Sequence, residues 1–132
     1  MNLLIIEDNF LHQKILVFIF KKFKSIKINC FVKKNGQEAL DFLKSTSFGI
    51  DLIFTDIKMP VMDGVQFCEE FRKIDSKTPI VVMTCNYELH NSDTMKTATH
   101  FTKKPVDFES VKNIVDYYSG FIDHSNNKMA YK

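Results

Sequence analysis

Leu3-Leu4-Ile5-Ile6-Glu7-Asp8 stands near the start of the chain: four apolar residues in a row, then two acids. An apolar run without alternation suits a parallel strand covered on both faces. Asp51-Leu52-Ile53-Phe54-Thr55-Asp56 follows the same plan, an apolar run ending on a carboxylate. Ile80-Val81-Val82-Met83 follows it again and ends on Thr84. The chain thus carries three candidate buried strands, each terminating in a polar group.

The stretches between them carry helical spacing. Asn9 is placed to cap a helix in which Phe10, Leu11, Ile15, Phe18, Ile19 and Phe23 recur, with Leu11, Ile15, Phe18 and Phe23 as the expected core face. Ile26 to Val32 reads as the second strand, Asn35-Gly36 as a break, and Gln37 to Lys44 as a helix with Ala39, Leu40 and Leu43 on one side. After Asp56 a loop holds Pro60 and Asp63-Gly64, and Val65 to Ile74 reads as a helix. Cys85 to Ala98 is polar and is taken as one short helix, Thr99 to Thr102 as a fifth strand, and Asp107 to Tyr118 as the last helix. Five strands alternating with five helices imply parallel strands joined by crossover helices. The expected fold is a doubly wound α/β sandwich, (βα)5, with a five-stranded parallel sheet and helices on both faces. One domain is expected over residues 1–119, with a polar tail over 120–132.

Composition agrees with a single globular domain. The chain has 132 residues, 45% hydrophobic and 26% charged, which excludes collagen-like and disordered classes. The net charge is +2 and Arg72 is the sole arginine, which argues against direct nucleic-acid binding. Cys30, Cys68 and Cys85 are too widely spaced for a disulfide framework or a zinc knuckle and read as buried free thiols in a reducing compartment. His12, His90, His100 and His124 are scattered without metal-ligand spacing. No run is long enough to span a membrane. Leu3 to Ile6 is too short for a signal-peptide core, so a cytoplasmic protein without membrane contact is expected.

In open α/β sheets ligands bind beyond the carboxyl ends of the strands. Glu7, Asp8, Asp56, Thr84 and Lys104 all fall there. Three neighbouring carboxylates repel unless a cation joins them, and hard oxygen donors suit Mg²⁺. Lys104 precedes Pro105, which pushes its backbone to an extended shape and favours it over Lys103 as the counter-charge for an anion. Metal, lysine and hydroxyl around one carboxylate make a phosphoryl-transfer site, with Asp56 as the nucleophile. Neither GxxxxGK[ST] nor GxGxxG occurs, so a P-loop enzyme and a dinucleotide are not expected.

Leu4-Ile5-Ile6-Glu7-Asp8-Asn9, Asp56-Ile57-Lys58-Met59-Pro60-Val61-Met62-Asp63-Gly64, Met83-Thr84 and Lys104-Pro105, in that order, resemble the response-regulator receiver family, the CheY-like domains of two-component and phosphorelay signalling with a flavodoxin-like fold. The resemblance covers about residues 1–119 and implies several roles. Asp56 matches the phosphoacceptor. Asp8 matches a direct Mg²⁺ ligand, Glu7 an acid reaching the metal through water, and the Lys58 backbone carbonyl a further ligand. Thr84 and Lys104 match the groups that hold the phosphoryl oxygens, and Phe101 the aromatic switch. The Lys104-Pro105 bond is commonly cis in the family. The implied partner is a histidine kinase or a histidine phosphotransfer protein, which meets the first helix. Self-catalysed phosphotransfer and autodephosphorylation are the implied activity. The implied output surface is built from the fourth helix, the fifth strand and the last helix.

Two departures stand out. Thr97-Ala98-Thr99 replaces the small Gly-Ala pair usual before the fifth strand, and weak helix formers such as Asn86, Asn91 and Asp93 fill the segment before it. Cys85 stands where the family usually has alanine, and its bulk is expected to slow water's approach to Asp56. The competing expectation is a pseudo-receiver, an adaptor that binds signalling partners without being phosphorylated.

Overall fold

The computed structural model describes residues 1–85 and 96–120. In chain order the elements are β1 (Asn2–Ile6), α1 (Phe10–Lys21), β2 (Asn29–Lys33), α2 (Gly36–Ser45), β3 (Leu52–Asp56), α3 (Gly64–Arg72), β4 (Ile80–Thr84), β5 (His100–Lys103) and α4 (Phe108–Ser119). The five strands form one parallel sheet in the order β2-β1-β3-β4-β5. The expected doubly wound fold is observed. The helix expected within 85–98 lies largely outside the described residues.

The apolar runs divide by parity, as side chains on a strand must. Leu4, Ile6, Ile53, Ile80 and Val82 face one layer, where they meet Ala39, Leu40 and Leu43 of α2 and Phe67, Cys68 and Phe71 of α3. Leu3, Ile5, Leu52, Phe54, Val81 and Met83 face the other, against Leu16, Ile19 and Phe20 of α1 and Val111, Ile114 and Val115 of α4. Each fully buried side chain of this kind contributes roughly 1.5–3 kcal/mol. Each helix among the described residues begins on an acid or amide cap. Asn9, Asn35, Asp63 and Asp107 accept from the backbone N–H of His12, Glu38, Gln66 and Ser110, satisfying donors the first turn leaves open. The single arginine is a staple. Arg72 donates to the carbonyls of Thr97, Asp75 and Thr78 and to Thr99 Oγ1, tying the end of α3 to the chain entering β5.

Two expectations are corrected. The core face of α1 is Leu16, Ile19 and Phe20, with Phe23 packed alongside. Leu11, Ile15 and Phe18, expected inside, are 64%, 41% and 62% exposed, and Phe10 is 70% exposed. At about 100° per residue, Phe10, Lys14, Phe18, Leu11, Lys22 and Ile15 share one outward arc of roughly 140°. The helix is apolar on both sides, so its sequence does not specify which side turns to the sheet. Of the three thiols only Cys68 is buried; Cys85 is exposed and Cys30 is intermediate. Burial pushes the Cys68 thiol up to about 12.

Candidate functional site

Strand register brings the polar ends together. Ile6 pairs with Thr55 across β1 and β3, so Glu7 and Asp56, the next residues of each strand, emerge side by side. Asp56 pairs with Met83, and Thr84 with Lys103. Strand order reverses at β1, between β2 and β3, which places the carboxylates at the crevice that such reversals create.

Glu7, Asp8 and Asp56 each offer a carboxylate oxygen, and the three atoms lie within 4.8 Å of one another. Lys104 Nζ donates to Glu7 Oε2 at 2.9 Å and to Asp56 Oδ2 at 2.8 Å. Its backbone N–H donates to the Thr84 carbonyl at 2.9 Å, and the Lys104-Pro105 bond is cis. Lys103 points to solvent, so the lysine preferred from the sequence is the one at the carboxylates. Glu7 is fully buried. Burial raises its carboxyl above the usual range; the Lys104 and Asn9 hydrogen bonds oppose that rise and the Asp56 charge adds to it. Burial works against the Lys104 charge, but its hydrogen bonds to Asp56 and Glu7 outweigh it and hold its pKa above that of an ordinary lysine.

Asp56 is held at both carboxylate oxygens and at its backbone carbonyl. Its Oδ1 accepts from the Ile57 N–H at 2.7 Å, and its backbone carbonyl accepts from Thr55 Oγ1 at 2.8 Å. The start of α3 presses directly on it: a Cβ on Gly64 would lie 2.1 Å from the Asp56 carbonyl oxygen. Between them, Met62 N–H donates to the Pro60 carbonyl at 2.8 Å around Val61, which has φ 68°. Lys58 lies in this loop with an exposed side chain. Thr84 is buried at the end of β4 and Phe101 half-buried on β5, where it packs against the α2–α3 layer. Cys85 joins Ile15, Leu16, Met83, Pro105 and Val106 around a cavity of about 240 Å³ beside Lys104.

The donor set fits Mg²⁺. All three ligand atoms are carboxylate oxygens, the hard donors that ion takes, and three acids against one lysine leave net negative charge. Sequence reasoning missed Gln13, whose Nε2 donates to the Glu7 carbonyl at 2.6 Å. A polar residue near the end of the first helical turn was its only signal.

The family model for the response regulator receiver domain matches residues 3–116. The osmolarity two-component system protein SSK1 of Saccharomyces cerevisiae is 32% identical over 80% of this chain, which spans 14% of that protein's length. The sporulation initiation phosphotransferase F of Bacillus subtilis is 29% identical over 89% of this chain and 92% of its own. The receiver domain of a sensor histidine kinase from Pseudomonas aeruginosa, solved with magnesium in its active-site cleft, superposes with a TM-score of 0.77 at 20% identity, covering 90% of this chain and 97% of that one. No helix among the described residues is long and apolar enough to cross a membrane. The match over almost the whole sheet and its helices makes this chain a member of the response regulator receiver family of two-component signalling.

Proposed function

We propose that residues 1–119 are a phosphoaccepting receiver, working in the cytoplasm, in which Asp56 takes a phosphoryl group from a phosphohistidine. The observation that carries this reading is the gathering of one carboxylate oxygen each from Glu7, Asp8 and Asp56 within 4.8 Å of one another, with Lys104 paired to Glu7 and Asp56. An Asp56 carboxylate oxygen forms the new O–P bond as the donor's N–P bond breaks, and the imidazole leaves with that bond's electron pair. Glu7, Asp8, Asp56 and the Lys58 carbonyl are the groups assigned to Mg²⁺. The ion supplies positive charge that lets carboxylates and phosphoryl oxygens approach. Lys104 and the Thr84 hydroxyl are assigned to the phosphoryl oxygens, a task of positioning and charge neutralisation.

The donor is a histidine kinase or histidine phosphotransfer protein. The outward arc of α1, Phe10, Leu11, Ile15 and Phe18, lies beside the site and supports docking of an apolar helix there. Lys14 and Lys22 sit over the Phe10 and Phe18 rings, and α1 carries no acid, so acidic flanks on that partner helix are favoured. On phosphorylation the added charge of about −1.5 to −2 draws the Thr84 hydroxyl toward the phosphoryl oxygens beside Lys104, which already reaches Asp56, and Phe101 follows. A coupling of roughly 1–3 kcal/mol then suffices to switch the surface of β5, α4 and the segment before β5.

The test is incubation with Mg²⁺ and an acyl phosphate or beryllofluoride, wild type against Asp56→Asn. Metal-dependent modification lost in Asp56→Asn is expected. An unmodified wild type that still binds a histidine phosphotransfer protein would instead establish the pseudo-receiver.

A further inference from the structure

The geometry points to Gln13 as a positioning residue that aims Asp8 at the metal site by holding the peptide between Glu7 and Asp8. This rests on the reading of Glu7 and Asp8 as metal carboxylates. Only three residues, Glu7, Asp8 and Asn9, bridge β1 to α1, so whatever orients them orients two of the three acids. Glu7 is tied at its N–H, which donates to the Lys33 carbonyl at 3.0 Å. Its carboxylate is tied as well, Oε1 by the Asn9 N–H at 3.1 Å and Oε2 by Lys104. None of these bonds touches the peptide unit that leads into Asp8. Gln13 Nε2 does, donating to the Glu7 carbonyl at 2.6 Å.

A peptide unit is planar, so holding its carbonyl oxygen sets the direction to the next Cα, here that of Asp8. Gln13 is itself fixed, since its backbone N–H donates to the Asn9 carbonyl at 3.0 Å. It is half-buried, which shields the bond from competing water. Asp8, in contrast, is exposed. The acid with the least packing around it thus takes its direction from an amide one helical turn away. Outer partners of this kind typically cost about 10–100-fold in metal affinity or activity when removed.

The test replaces Gln13 with methionine, similar in length but without a donor, in the full chain. Mn²⁺ binding is read by electron paramagnetic resonance, with Mg²⁺ as competitor, alongside thermal melting. Gln13→Met is expected to weaken both ions about tenfold. The same substitution made in Asp8→Asn is expected to change the constants by less than about threefold, because a residue that acts through Asp8 has nothing left to aim. A lowered melting temperature with unchanged constants would overturn the assignment, as would an equal loss in both backgrounds. Wild type that binds neither ion would remove the metal-site reading itself, an outcome distinct from wild-type binding that Gln13→Met retains.

Discussion

Replacing Lys104 with methionine leaves Glu7 and Asp56 facing each other without a counter-charge. The Glu7 side chain is 1% exposed, Lys104 12% and Asp56 16%. Breaking a buried ion pair by removing one partner costs about 3–5 kcal/mol. The remaining exposure of Asp56 lowers that figure. So does the proton that Glu7 can take up, at about 1.36 kcal/mol per unit of pKa shift. The expected loss near pH 7 is therefore about 2–4 kcal/mol. Its pH dependence has a definite sign. The folded-state carboxyl of Glu7 already lies above its ordinary 4.5, and removing Lys104 removes a hydrogen bond that lowers it. An acid with a raised folded pKa gives the folded chain more bound protons than the unfolded chain, so stability falls as pH rises through that window. The deficit of Lys104→Met should shrink on acidification from about pH 7 toward about pH 5. Mg²⁺ should stabilise the variant more than the wild type, because it supplies the charge the lysine gave. Urea unfolding at both pH values, with EDTA or with millimolar Mg²⁺, measures all three effects. A variant as stable as wild type near pH 7, or a deficit unchanged by pH, would mean that Lys104 does not neutralise this carboxylate pair.

Gly64→Ala should cost at least about 1–3 kcal/mol, since its Cβ meets the Asp56 carbonyl oxygen, backbone against backbone; urea unfolding and the rate of Asp56 phosphorylation should both show it. Val61→Asn should stabilise the fold by about 1 kcal/mol, because a β-branched residue at φ 68° that is 81% exposed sits in the left-handed region asparagine tolerates, and melting temperature reads the gain. Phe101→Ala should weaken the response of the downstream partner while leaving Asp56 phosphorylation near wild type; partner-binding titrations with and without beryllofluoride separate the two.

Much of the molecule was legible in the chain. Apolar runs ending at Ile6, Phe54 and Met83 named three strands, and Asn9 fell at a helix start where an acceptor meets open N–H groups. Glu7, Asp8, Asp56 and Lys104 could be singled out as candidates because side-chain chemistry and order along the chain are properties of sequence. Proline before a turn separated Lys104 from Lys103 for a local steric reason.

What local rules left open was decided by packing. Helix α1 offers two apolar sides, and only the sheet and α4, with Phe54 against Phe20 and Phe108 against Phe23, select Leu16, Ile19 and Phe20 as the inner one. The exposure of Cys85, the staple made by Arg72 and the bond from Gln13 to Glu7 depend on neighbours 3 to 27 residues away or on surfaces the chain folds past. Hydrophobic periodicity reports that a side chain will be buried somewhere, while direction in space requires the partner surface to be present.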